Sequence, residues 1–508
     1  MAVQHNMRGL AKDTAIYGLS SIIGKFLNWM LVPLYTHVLE TQADYGIVTH
    51  LYAWTALLLV ILTYGMETGY FRFANREDEN PSSVYSTALI SLFTTSLIFA
   101  VLCVVLRYPI AARLGYPGHE EFIALMSIVV AIDAFASIPF AYLRYKKRPI
   151  KFAAVKLIFV FLNILFNLFF LVVCPHIAHW SFIGSWYDPA DGVRYIFWSN
   201  ILATTLQTLF LLPDITVFRF SAFNFGLLRR MLRYSLPLLV LGVCGIMNQT
   251  LDRIIFPYLH PAILSSDPAA TAQSELGVYG ACFKVAMIMM MFTQAFRYAY
   301  EPFVFAKHKD KQSVAAYADA MKYYIIFSYL ILLGMIAYLD LLKYIIAPSF
   351  WEGLRIVPLV LWAYIFQGIY FNLSFWYKLT DRTQWGMYFS ILGVIITFVL
   401  QVVLVPHIGY IASAGSSTIC FFLLMLLSWW IGRRYLPVPY DYRAIGIYTL
   451  LTIILLGIYY VTRALLVHYE LYNEWAMMGI GTLLLSAYMA ILVRREVKVL
   501  FANKNNTN

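Results

Sequence analysis

Nine ionisable side chains fall within long apolar runs of this sequence: Lys25, Glu67, Asp133, Lys156, Asp252, Arg253, Lys284, Arg297 and Glu301. Charge at such depth is costly in lipid, so each group must face protein or water, find a partner, or serve a transported species. The cations Lys25, Arg253, Lys284 and Arg297 have the chemistry to hold a phosphate or diphosphate that must leave water. The carboxylates Glu67, Asp133, Asp252 and Glu301 could carry a proton or Na⁺ by changing charge state, or could pair with the cations. Each also has a plainer reading. Glu67 with Arg72, and Arg297 with Glu301, could be ion pairs that fix helix ends; Lys156 and Lys284 could snorkel to an interface. Lys25 and Asp133 are too deep for easy escape, which favours a lumenal position or mutual pairing. Asp252 and Arg253 point about 100° apart on a helix, so at least one of them should seek another partner, ligand or water.

The elements that must position these groups are membrane-spanning helices. Of 508 residues, 61% are hydrophobic and only 12% charged, about half the charge of a soluble chain. Apolar runs long enough to cross a hydrocarbon core of about 30 Å recur throughout, without the alternation of outer-membrane strands, so helices are expected. The runs predict fourteen spans: 10–38, 44–68, 83–106, 121–143, 150–174, 194–213, 232–258, 277–301, 318–341, 354–377, 384–405, 409–432, 444–466 and 475–493. The N-terminus has no cleavable signal pattern and is expected to be retained. With the N-terminus inside, the basic clusters Arg144, Lys146, Lys147, Arg148, Lys151 and Arg219, Arg229, Arg230, Arg233 all fall on the cytoplasmic side. Both termini are therefore expected in the cytoplasm. The net charge of +11 is topological and gives no reason to invoke nucleic acid. The five cysteines lack metal-site or disulfide spacing, and aromatic residues at span ends suit interfacial belts. No metal and no cofactor is expected.

Spans seven to twelve repeat features of spans one to six in the same order. Span one carries Pro33 five residues after Asn28, and span seven carries Pro257 five residues after Asp252. Tyr45-Gly46 opens span two and Glu67 closes it; Tyr279-Gly280 and Glu301 do the same for span eight, at equal separation. Span four exits through YLRYKKRP and span ten through YKLTDRTQ; span five ends in CPHI and span eleven in VPHI. The expected fold is an all-α bundle of two six-helix lobes related by a pseudo-two-fold along the membrane normal, plus two C-terminal helices. Its expected divisions are 1–220, 221–435 and 436–508. Parallel repeats of this kind suit alternating access about a central site. Prolines 33, 237 and 257 are expected to bend spans one and seven, as tolerated kinks or as cavity-lining hinges.

The opening GLAKDTAIYGLSSIIGKFLNWMLVPLYTHVLETQADYGIVTHLYA, the Pro-His-Ile-Gly-Tyr at 406–410 followed by ASAGSST, and the twelve-plus-two plan resemble the polysaccharide transporter (Wzx-type flippase) family. This is a branch of the multidrug/oligosaccharidyl-lipid/polysaccharide exporter superfamily. The resemblance implies a flippase that moves an isoprenoid-diphosphate-linked saccharide across the bacterial inner membrane, headgroup through the cavity and tail in the bilayer. It also implies cavity cations, mapped most directly onto Lys25 and by helix and character onto Arg253. Lipid II flippases carry several first-lobe arginines where this chain offers only Lys25 at depth, which favours a saccharide-lipid substrate. The implied partners are the lipid-linked saccharide, membrane lipids, H⁺ or Na⁺, and polysaccharide assembly machinery.

Two other readings stay open. A cation-coupled drug or metabolite exporter of the same superfamily would transport soluble cations. A membrane glycosyltransferase or O-antigen polymerase would need a large outer loop with paired acids, whereas the outer loops hold only Asp188 and Asp191, or Asp267 and Glu275. No nucleotide or hydrolase fingerprint accompanies the spans, and bond chemistry is not expected.

Overall fold

The structure is a computed structural model, which describes residues 18–179, 181–260, 268–307 and 313–505. The start of span one (10–17) and the loop acid Asp267 lie outside the described residues. Among them there is no strand, and a helix occupies each of the fourteen expected spans. In chain order these are α1 (18–29, then Leu31–Val38), α2 (Gln42–Thr63, then Met66–Ala74), α3 (Pro81–Val105), α4 (Glu120–Tyr145) and α5 (Pro149–Leu168, continued to Ile177). Next come α6 (Gly192–Phe210), α7 (Phe225–Leu259), α8 (Pro268–Val285, then Met287–Lys307), α9 (Ser313–Ala337) and α10 (Val357–Leu373, then Phe375–Leu379). Last are α11 (Gln384–Ile408), α12 (Tyr410–Gly432), α13 (Tyr442–His468) and α14 (Glu474–Asn505).

Eleven of the described helices are long and apolar enough to cross a membrane, and the two segments of α8, bent by 46°, make a twelfth together. The chain is a multi-pass membrane protein. Helix α6 falls short by hydropathy because it carries Ser199, Asn200, Thr204 and Gln207, all of them buried. Asn200 donates to the Tyr52 hydroxyl of α2 at 3.0 Å. Ser199 donates to the Tyr195 carbonyl and Thr204 to Asn200, so part of this polarity is satisfied within α6 itself.

The interruptions have local causes. Pro33 cannot donate to the carbonyl of Trp29, and α1 breaks into a turn at Met30. Helix α2 changes direction at Tyr64 and Gly65, both left-handed (φ 35° and 69°), so Glu67 lies in the first turn of the segment Met66–Ala74 and not at the end of a span. In α5 the turn before Pro175 widens to a π-helical Phe169–Val173, as happens where a proline withholds its donor. Helix α7 runs unbroken through Pro237 and Pro257 to Leu259.

Packing divides the helices into two compact units, residues 1–281 with 384–417, and residues 282–383 with 418–508. In the first, α3 packs on α4, α5 on α6, and α7 on both α2 and α11. Its core holds Met66, Tyr70, Tyr85, Leu92 and Ile138. In the second, α9 is central, packed on α10, α13, α14 and the second segment of α8.

Candidate functional site

Glu67 sits where unpaired N–H groups and the dipole of Met66–Ala74 favour a carboxylate, and Arg144 sits in the last turn of α4, where a cation is favoured. The two form an ion pair. The Arg144 guanidinium also lies 5.2 Å from the Phe71 ring and 5.6 Å from Phe152. The expected partner, Arg72, instead covers Tyr234 at 4.3 Å. Five positions along a helix turn a side chain about 140° away, so Arg72 cannot return to Glu67.

In the second unit Lys378, in the last turn before α10 ends, reaches Glu301 at 3.2 Å. Acid and base are 77 residues apart in both units. The expected contact of Arg297 with Glu301 is present but long, 4.0 Å. The Arg297 Nε is buried without a hydrogen-bond acceptor, and its guanidinium lies 5.2 Å from the Phe371 ring. One carboxylate therefore faces two cations.

A second polar centre lies in the half of the first unit where α2 and α8 begin. Asp252 is buried and accepts from the Tyr279 hydroxyl. Arg253 Nε also reaches Asp252, at 3.4 Å, and its guanidinium donates back to the Gln249 carbonyl. Adjacent residues thus do meet, because the long arginine folds along its own helix, but the Tyr279 bond is the shorter one. His50, fully buried, has Nδ1 2.5 Å from the Tyr116 hydroxyl and Nε2 3.1 Å from the Ile254 carbonyl, while Gln273 donates to Tyr116 at 3.2 Å. The Trp54 indole N–H also donates to Nε2 at 3.1 Å, so Nε2 faces both a donor and a carbonyl acceptor, and the ring tautomer depends on which of the two it serves.

These bonds surround a backbone crossing. A Cβ on Gly46 would lie 1.9 Å from the Gln273 carbonyl oxygen, and one on Gly277 would lie 2.0 Å from that of Gln42. Helices α2 and α8 therefore touch through glycine, with Ser274 donating to Gln42 at 2.5 Å. Close by, His260 meets Glu275 at 3.2 Å, and a side chain on Gly409 (φ 56°) would strike that carboxylate.

The deep charges are arranged differently from expectation. Asp133 is half-buried and its charged neighbour is Lys156, whose ammonium stands 4.1 Å from the Phe140 ring. Lys156 is thus turned inward and does not snorkel. Lys25 is exposed on α1, and Lys284 is half-buried in the last turn before the break of α8. The four expected cations divide between the units, Lys25 and Arg253 in the first, Lys284 and Arg297 in the second.

Several partners escaped sequence reasoning. His50, Tyr116 and Gln273 carry no pattern beyond being polar near apolar runs. Arg144 and Lys378 stood only as basic exits, although their matched positions in the repeat were the signal. In the second unit, Lys322 with Glu496 (3.0 Å) ties α9 to α14, and Asp340, in the short helix Leu339–Leu342, meets Arg463 of α13 (3.2 Å).

This fold defines a class, the all-α multi-pass membrane proteins with paired charges. The lipid II flippase MurJ in an inward closed conformation superposes with a TM-score of 0.70 over 95% of this chain and 99% of that one, at 12% identity. A multidrug resistance MATE transporter of the MOP superfamily follows the same fold in its inward-facing form, with a TM-score of 0.61 at 12% identity over 83% of this chain and 94% of that one. Its outward-facing counterpart gives 0.54 at 13% identity over 84% and 95%. No curated protein matches in sequence. The family described as "Polysaccharide biosynthesis protein" matches residues 10–297, more than half of the chain, and the protein belongs to it.

Proposed function

We propose that this protein is a flippase for an isoprenoid-diphosphate-linked oligosaccharide, an O-antigen, capsule or exopolysaccharide repeat unit, in the bacterial cytoplasmic membrane. The observation that carries this reading is a polysaccharide-biosynthesis family match in a chain whose whole length follows the fold of a lipid II flippase. Both termini are cytoplasmic in this proposal, the two six-helix lobes alternate access, and H⁺ or Na⁺ drives the cycle. Lys25, Arg253, Lys284 and Arg297 receive the diphosphate. Arg297 has the strongest support, since its Nε lacks a hydrogen-bond acceptor and Glu301 is shared with Lys378. Asp133 and Asp252 serve ion coupling, whereas Glu67 and Glu301 act by charge pairing. No bond is made or broken, and the polysaccharide assembly machinery supplies and consumes the substrate.

Reconstituted in liposomes, the protein should accelerate leaflet exchange of a polyprenyl-diphosphate sugar, and Lys25→Ala should slow that exchange about tenfold without loss of insertion. Inactivity toward several saccharide headgroups, together with efflux of soluble organic cations, would transfer the assignment to the drug-exporter reading.

A further inference from the structure

The first unit holds a ligand-sized feature beside its polar centre, since Trp54 on its wall donates to His50 at 3.1 Å. An apolar cleft of about 340 Å³ is walled by α2, α3, α4 and the short helix Arg107–Leu114, with Trp54, Leu58, Phe99, Cys103 and Met126 along it and Arg113 in its lining. That volume lies within the range of small-molecule sites. The neighbouring face of α3 exposes Leu97, Ile98, Val101, Leu102 and Val105, a surface suited to acyl chains.

The short helix is built for an interface. Ile110 and Leu114 line the cleft, Tyr108 is exposed, and Arg113 is exposed one turn before Gly115 ends the helix. Arg113 makes no hydrogen bond, ion pair or ring contact with any described residue. Its company makes this unusual. In the connections assigned to the outer side, the basic residues are Arg107, Arg113, Lys343 and Arg355. Lys343 is bound to Glu474, and Arg107 lies 5.0 Å from the Tyr108 ring with Glu120 in electrostatic reach. The charge bias that strips cations from this side has left an unneutralised guanidinium at an acyl-sized cleft.

We propose that this cleft is a binding site for an anionic phospholipid, one acyl chain lying against Phe99 and Cys103 and the phosphate resting on Arg113. On the orientation proposed above, the lipid belongs to the outer leaflet. A single free guanidinium matches a headgroup of one negative charge. An isoprenoid diphosphate would bring more charge than Arg113 neutralises, with Glu120 close by. Because α2 forms one wall, the lipid braces the helix that makes the glycine crossing with α8.

The test uses the full chain in phosphatidylcholine liposomes doped with phosphatidylglycerol carrying a diazirine near its acyl terminus, with labelled residues mapped by mass spectrometry. Labelling should concentrate on the cleft segments of α2, α3 and α4 and exceed that from a matched phosphatidylcholine probe about tenfold, as for a charge-assisted contact. Arg113→Gln should abolish the preference, and Cys103→Trp should lower labelling by both probes, on protein with unchanged thermal unfolding in detergent. Equal labelling by the two probes would overturn the proposal, as would a preference that survives Arg113→Gln. Displacement of the phosphatidylglycerol probe by a smaller amount of polyprenyl diphosphate would reassign the cleft to substrate and likewise overturn it. Sugar-lipid exchange is read separately, so a failed flippase assay with intact lipid preference removes the transport reading alone.

Discussion

The contact closing α2 onto α4 in the first unit and the contact closing α8 onto α10 in the second join an acid to a base across the same 77 residues, yet their surroundings differ. In the first, one carboxylate meets one guanidinium, and two phenylalanine rings flank it. The charge is matched and the planar group is stacked, so the pair has the character of a structural latch. In the second, a flexible lysine holds Glu301 while Arg297 stands 4.0 Å from the same carboxylate, leaving a positive charge in excess. The two contacts share a spacing in sequence and differ in charge balance. Under the proposed function, that excess charge is where diphosphate recognition is to be tested.

The sharpest way to break this comparison is Arg297→Ala, which should lower exchange of a polyprenyl-diphosphate sugar by roughly ten- to a hundredfold while leaving thermal unfolding nearly unchanged. Arg72→Ala in the first unit should change exchange less than about twofold, its guanidinium being stacked on Tyr234. Equal effects of the two would dissolve the asymmetry. Next in size are the acids. Glu301→Gln leaves two cations facing each other and should cost about 2 kcal/mol, and Glu67→Gln, which strands one partly exposed arginine, about 1 kcal/mol, both measured by unfolding in detergent. A reversed order would mean that Lys378 and Arg297 find other acceptors. The smallest effect tests the stacking: Arg144→Lys should cost about 1 kcal/mol through lost ring contacts, whereas Lys378→Arg should be close to neutral.

Much of the second-unit cluster was legible beforehand, because Arg297 and Glu301 are one helical turn apart and the basic exits of spans four and ten fall at matched positions. Glu67 shows where such reading stops. Its nearest basic neighbour in sequence was the wrong partner, since helix phase turns Arg72 away and the jog at Tyr64 and Gly65 re-aims the whole segment. Asp133 makes the same point at greater depth: hydropathy gives the level of a charge in the bilayer but not the rotation of its helix, and rotation turned Lys156 toward Asp133 and the Phe140 ring. Gly46 and Gly280 were visible as parts of a repeated Tyr-Gly pair, but the crossing that requires glycine uses Gly277 as well.

The sequence by itself determined the helical class and where the helices fall, because lipid forces each segment to satisfy its own backbone and makes apolar length a strong signal. Only the tertiary structure decided which charges meet, where α2 and α8 touch through glycine, and which guanidinium is left without a partner. Those contacts join residues tens to hundreds of positions apart, and they depend on helix phase, on local breaks at Met30, Tyr64 and Ala286, and on side-chain reach, none of which hydropathy encodes.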